Sequence, residues 1–422
     1  MHAQSRSRRS VFRRYGLSAL TLATAAAMAV TLVPAQATAE TAAQPSGVFG
    51  EEPEIPTPGP APIEPGTELY KIAQDANLGL RYSFAVVAAD PTSGVYPEGS
   101  VEQSLQRGLL TLPADRLDPA VKAARDLIAD PDLRGREFGR YARLDPDEYR
   151  KLGFSKAFEG VEFDERVLAA TMQERATVLE GISREMESEA IGYARKWGVQ
   201  PIQLPKIKEL DFRLEKVTCI DETNPEFGGD DEILMGGLEI GTANDDVYTH
   251  KVNQFLVGGE EYFYDGRSYT YASPGKQFAD HDLTVGGVWP RTYMSVVMMA
   301  ERDGSGFSDA LTDAWNSVKA EVQKAVAKAL ATVLTPFIGA ALAEVVGQVV
   351  AFLVLVFVDW ILEFFQDDLF EARTAQVTLP SKYAFHYDNA NGWTNWRLPT
   401  TTMYYSGHGG DYKAKVHWDM KV

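Results

Sequence analysis

Between Trp315 and Phe365 the chain carries its most apolar stretch, with VVGQVVAFLVLVFVDWILEFF as the densest part. Any fold must bury this stretch or hand it to lipid, so it constrains the rest of the chain. Its two arms differ. In the first, Trp315, Val318, Val322, Val326, Leu330 and Val333 draw one apolar stripe, with Glu321, Lys324 and Lys328 on another face, the pattern of an amphipathic helix. Thr335-Pro336 and Gly339 supply a break. The second arm, 345–365, is apolar on nearly every face and would rise about 32 Å as a helix, close to the hydrocarbon thickness of a bilayer. Its unbroken run, Val349 to Val358, is shorter, and an ionised Asp359 would cost about 2 to 3 kcal/mol in lipid. Two readings stay open: a central helix buried in a soluble protein, or a hairpin that meets a membrane through Val349, Phe352, Leu355, Phe357 and Trp360.

The first residues are set apart from folding. Residues 1–39 combine a basic start, an apolar run from Leu17 to Val33 and small-residue cleavage sites at Ala35-Gln36-Ala37 and Ala37-Thr38-Ala39. Arg8 and Arg9, followed by Ser10, Val11 and Phe12, resemble the twin-arginine signal that exports folded proteins. The expectation is a secreted protein. Residues 1–37 hold five arginines and no acid, so what remains is five charges more negative than the whole chain's −18. Such a surface repels nucleic acid and anionic lipid head groups unless cations intervene, and nucleic acid is not expected as a partner.

Residues 40–66, with EPEIPTPGPAPIEPG at their centre, are expected to form an extended, disordered linker. From 67 to 205 the pattern is helical, punctuated by Asp-Pro and Leu-Pro pairs, of which Asp118-Pro119 and Asp145-Pro146 read as the best helix starts. One long helix is expected from Phe163 to Trp197, with Leu168, Met172, Leu179, Ile182, Met186, Tyr193 and Trp197 as its stripe and the hairpin as a candidate partner. GVQPIQLP, Gly198 to Pro205, breaks it.

From 206 to 422 short β-branched and aromatic segments alternate with Gly, Asn and Asp turns: DFRLEKVTCI, EILMGGLEI, VYTHKVNQFLV, YMSVVMMA, ARTAQVTL and DYKAKVHWDM. With no helix between consecutive strands, they predict an antiparallel β-sandwich, interrupted by the hairpin at 308–366. The fold class is therefore α+β: an N-terminal helical domain, then a sandwich with an inserted apolar helical hairpin. Cys219, the one cysteine, reads as an inert buried thiol. No familiar catalytic motif occurs, and a non-enzymatic protein is expected.

Acids crowd the turns. Asp221 and Glu222 end one strand, Asp230, Asp231 and Glu232 precede the next, Glu301 and Asp303 end a later one, and Asp367 and Asp368 follow the hairpin. Carboxylates from several loops at one sandwich end would suit calcium, which takes six to eight oxygens. In GDDEIL around Asp231, in Glu301-Arg302-Asp303 and in Asp368-Leu369 the sequence resembles the C2 domain, a calcium-binding and often membrane-binding sandwich. That resemblance implies calcium at Asp221, Asp231, Glu301, Asp303 and Asp368, with the hairpin inserted in a calcium-binding loop.

In YAFHYDNANGWTNWRLP, Tyr383, Phe385 and Tyr387 alternate as on one strand face, while Trp393 and Trp396 lie in a polar loop. Tryptophans there stack on sugars, sit at a lipid interface or plug the sandwich core. Two functions are expected: calcium-dependent membrane interaction or pore formation, or an extracellular module that binds glycan or protein and keeps the hairpin as permanent core.

Overall fold

Aspartate and proline together open two of the helices. The Asp145 carboxylate accepts hydrogen bonds from the N–H groups of Asp147 and Glu148, with Pro146 at the first helical position, and Asp130 does the same ahead of Pro131. The computed structural model describes residues 63–422 except 113, 224–230, 244–245, 260–261, 287–288, 302–321, 323, 327, 329–344, 351, 354–355, 358–359, 361–369, 390–391 and 408. The leader 1–39 and most of the linker lie outside the described residues. The linker's last residues do not: Ile63 is buried in the helical core, where its side chain outweighs the polar composition before it.

The helices are α1 (Glu68–Ala89), α2 (Val101–Leu110), α3 (Ala114–Ala129), α4 (Pro131–Phe138), α5 (Pro146–Phe158) and α6 (Glu165–Trp197). The start expected at Asp118-Pro119 is corrected: Pro119 lies inside α3, where its ring removes one intrahelical hydrogen bond. α6 begins at an Asp164 cap and stops at Gly198, which takes the left-handed conformation (φ 68°, ψ 26°) that a side chain would oppose. Its stripe is used only in part. Leu168 and Met172 enter the helical core and Ala190 and Ala194 join a small cluster with Leu204 and Tyr383, while Trp197 stays 63% exposed.

α1 is the hub, with Ile72, Ala76, Leu80 and Phe84 buried in the helical core. α5 kinks at Gly153 (φ 70°), and the N–H this frees on Phe154 donates to the buried Glu102 carboxylate from α2 at 2.7 Å. Ser83 of α1 donates to the same carboxylate at 2.9 Å. Burial raises the Glu102 carboxyl above its ordinary range.

The described part of the hairpin completes this core. Val322 and Val326 of the first arm are buried, and so are Val345, Val346, Val349, Val350, Leu353, Phe357 and Trp360 of the second; Phe352 is half-buried. Trp360 meets Phe84 edge-on at 5.8 Å, Phe352 meets Tyr70 at 5.7 Å, and the Arg81 guanidinium lies 5.2 Å from the Trp360 ring. The hairpin also reaches α6, where Arg175 donates to Gln348 at 3.0 Å. Among the described residues no helix is long and apolar enough to cross a membrane.

The strands are β1 (Glu209–Asp221), β2 (Ile233–Ala243), β3 (Asp246–Leu256), β4 (Ser268–Thr270), β5 (Lys276–Asp282), β6 (Arg291–Glu301), β7 (Arg373–Leu379), β8 (Thr401–Gly407) and β9 (Gly410–Lys421). They form two antiparallel sheets, one ordered β4-β1-β9-β8 with β5 also on β1, the other β3-β2-β6-β7. In sequence the hairpin segment falls between β6 and β7, which are neighbours in one sheet. β4, β5 and β8 escape the alternation rule because they are short or polar. YAFHYD is corrected from strand to a 3-10 turn at Ala384–His386: Tyr383 and Tyr387 are buried and Phe385 stacks on Tyr193 at 4.2 Å.

Alternation along β6 explains how the layers join. Tyr293, Val297 and Met299 face the core between the sheets, while Met294, Val296 and Met298 face the helical core together with Leu238 and Ile240 of β2. β6 is covered on both faces. Cys219 is buried in the sandwich, and burial pushes its thiol up to about 12.

Candidate functional site

The loop-end acids come first. Asp221 is exposed at the end of β1. Asp231 is fully buried: it accepts from the Thr223 N–H at 2.9 Å, the Thr223 hydroxyl at 2.8 Å and the Tyr412 hydroxyl. Glu301 Oε2 lies 2.6 Å from the same Thr223 hydroxyl, whose single hydrogen serves one carboxylate at a time. The fold thus brings Asp231 and Glu301 together around Thr223, with Asp221 nearby in sequence. Asp303 and Asp368 lie outside the described residues. Among the described residues no group of three or more His, Cys, Asp or Glu side chains is arranged to hold a metal ion. Of the expected membrane-facing residues, Val349, Phe357 and Trp360 are core, Phe352 is half-buried, and Leu355 lies outside the described residues.

A second polar cluster, which the sequence reading missed, sits on β2, β3, β5 and β6. Glu239 is 6% exposed and lies 2.9 Å from His250 Nδ1, while Tyr248 OH lies 2.8 Å from Nδ1 of the buried His281. Glu239 Oε2, His281 Nε2, Tyr293 OH and Ser295 Oγ are buried without a hydrogen-bond partner among the described residues. Burial raises the Glu239 carboxyl to about 7, helped by the Asp280 charge, and burial holds the His281 imidazole down at about 3. Because the folded value for Glu239 lies above the ordinary 4.5, its contribution is fully present below about pH 4.5 and is lost as pH rises through 7. Urea titrations across this range are expected to show wild-type stability falling by about 2 to 3 kcal/mol relative to Glu239→Gln. Parallel curves for the two proteins would contradict this assignment.

The third site is an open cleft of about 580 Å³ on the outer face of the β4/β5-β1-β9-β8 sheet, between the Ser273-Pro274 turn and the Thr394–Arg397 turn. Its floor follows from strand alternation. Leu210, Phe212 and Leu214 of β1 and Val416, Trp418 and Met420 of β9 point into the sandwich core, so Asp211, Arg213, Asp419 and Lys421 share the other face.

Register sets Asp211 directly opposite Asp419, a like-charge pair that destabilises a sheet unless cations intervene. Arg213 supplies one, pairing with Asp211 and placing Nε 3.2 Å from Asp419 Oδ2. Arg397 grips Asp419 with two bonds of 2.8 and 3.2 Å, and Lys421 Nζ lies 3.0 Å from Asp211 Oδ2. His417 stands 2.8 Å from Glu215 and 3.2 Å from Asp419. Burial alone would raise the Asp419 carboxyl, but His417 and Arg397 outweigh it and hold the group below its ordinary range. Asp211 is fully buried, and its Oδ1 has no hydrogen-bond partner among the described residues.

The rim is a tight two-residue turn. Thr394 and Arg397 exchange backbone hydrogen bonds of 2.8 and 3.1 Å, and between them Asn395 (φ 49°) and Trp396 (φ 65°) are both left-handed. Glycine is the usual residue at the second position, and tryptophan there carries a backbone cost of about 1 kcal/mol or more. The ring is half-buried and lines the cleft. Trp393, by contrast, is a core plug, 4% exposed and edge-on to Tyr387 at 5.6 Å.

Only Trp396 of this cleft was singled out in the sequence. A signal for the floor existed in ELDFRLEK and KVHWDMK, where every second residue is ionisable on what become adjacent strands. No family model, curated protein or solved structure matches the chain.

Proposed function

We propose that this chain is an exported, non-catalytic glycan-binding module whose recognition site is the Trp396 cleft. One observation carries the reading: a tryptophan held at a backbone position that favours glycine lines a cleft floored by carboxylates and guanidiniums. Sugar rings offer an apolar face for stacking and hydroxyl pairs that carboxylate and guanidinium groups hydrogen-bond. Of the charged side chains that line the cleft, Arg397 is only partly buried, so its guanidinium can reach a ligand hydroxyl. The buried hairpin residues support the companion view that the hairpin is permanent core and the sandwich does the binding.

The test is a glycan array, run with calcium and with chelator, followed by calorimetric titration of any hit. Trp396→Gly suits it, because glycine relieves the left-handed backbone while removing the ring. The variant is expected to keep its fold by circular dichroism and to bind at least about tenfold more weakly, the equivalent of 1.4 kcal/mol. A protein that binds no glycan in either arm, or a variant that binds as well as wild type, overturns the reading. A hit confined to the calcium arm would tie the cleft to the loop-end acids.

A further inference from the structure

At the end of α6 the chain turns through a rigid elbow and shows apolar side chains that the fold has no need to expose. Trp197 is 63% exposed, Ile202 77% and Val199 37%. Fraying does not explain them. Gly198 closes the helix with its N–H on Ala194 and Arg195, Val199 N–H bonds to Ala194 O at 3.0 Å, and Pro201–Gln203 forms a 3-10 turn with a reciprocal Gln200–Gln203 cap. Leu204, 5% exposed, pins the inner side against Ala190, Ala194 and Tyr383. The elbow is built, and its apolar side faces out.

Charge says what would cover it. From residue 190 to 208 there is no acid, although acids outnumber bases by 18 in the whole chain. The same stretch carries Arg195, Lys196, Lys206 and Lys208, all exposed. The recorded ion pairs of nearby acids go elsewhere: Glu187 lies 3.4 Å from Lys382, Glu189 lies 3.1 Å from His386, and Glu209 lies 2.5 Å from Lys421. A tryptophan and aliphatic residues ringed by lysine and arginine is the composition that settles at a bilayer interface: the ring sits at headgroup depth and the cations meet anionic lipid.

We infer that this elbow is a docking site for an anionic lipid surface. It holds the protein on the membrane without inserting the hairpin, and it uses Trp197, Ile202, Lys196 and Lys206, none of which lines the glycan cleft, so either can fail alone. The experiment is flotation of residues 40–422, which contain the whole of the compact unit Pro53–Val422, with phosphatidylglycerol–phosphatidylcholine vesicles and with pure phosphatidylcholine vesicles. The wild type is expected to float with the anionic vesicles alone, and less so as salt rises. Two variants are compared with it, Trp197→Ser/Ile202→Ser and Lys196→Glu/Lys206→Glu. Both alter exposed side chains and are expected to keep the wild-type melting temperature, and each is expected to lose binding by about tenfold or more.

Absence of flotation with anionic vesicles overturns the proposal. Equal flotation with both vesicle types does so too, because charge would then play no part. Variants that float as well as wild type place lipid binding elsewhere and also overturn it. Dimerisation through the elbow in place of lipid binding would appear as a wild-type dimer by light scattering, split by the Trp197→Ser/Ile202→Ser variant, with no flotation, and counts against the proposal.

Discussion

Leu353→Asp is expected to abolish soluble, folded protein. Leu353 is fully buried in the helical core, in the arm that places Val349, Val350, Phe357 and Trp360 against the α1 side of that core. The substitution removes a branched side chain, leaves a cavity and buries a carboxylate. Together these cost about 5 kcal/mol or more, comparable with the whole stability of an ordinary domain. Soluble yield and far-ultraviolet circular dichroism check it. A soluble variant with the wild-type spectrum would mean the hairpin can leave its place at little cost, which is what a membrane-entering hairpin requires. The substitution therefore separates the two readings of the apolar stretch.

Gly237→Ala is the second large effect. Gly237 lies in β2 at φ 153°, beside a register shift against β3. A β-carbon there would fall 1.9 Å from the Val296 carbonyl oxygen and 3.0 Å from its carbonyl carbon. These are backbone atoms of β6, fixed by the ladder that pairs Gly237 with Val297, so relief means separating the strands. Urea denaturation is expected to show a loss of at least about 4 kcal/mol, or no cooperative transition. Gly181→Ala, in exposed mid-helix α6 with nothing near its β-carbon position, is the matched contrast and should gain up to about 1 kcal/mol. Equal effects at the two sites would refute the steric account.

Most of the fold could be read from periodicity because the long elements bury one clear face. The start of the α6 stripe at Leu168 and Met172, the alternation in β1 and β9 and the Asp145-Pro146 start all rest on local rules that tertiary structure left in force. The rules failed where packing overrode them. Pro119 is tolerated inside α3, Ile63 is drawn from a proline-rich linker into the core, and Tyr383 and Tyr387 are buried from a 3-10 turn instead of a strand.

The cleft was harder to read. Asp211 and Asp419 are far apart in sequence and become a pair only through the β1–β9 register, and Arg397 reaches them from a turn. Among the acidic turns, the Asp231 carboxylate is engaged by Thr223 and Tyr412. The ionisable residues that line the cleft floor sit within strands.

β6, covered on both sides, has one more consequence. Two stacked sheets have four faces, and two of these form the core between them. The helices and the hairpin cover a third, over β2 and β6. The fourth is the outer face of β1 and β9, where Asp211, Arg213, Asp419 and Lys421 stand. The inserted hairpin, by helping to close one side of the molecule, leaves the ionisable face of β1 and β9 on the other.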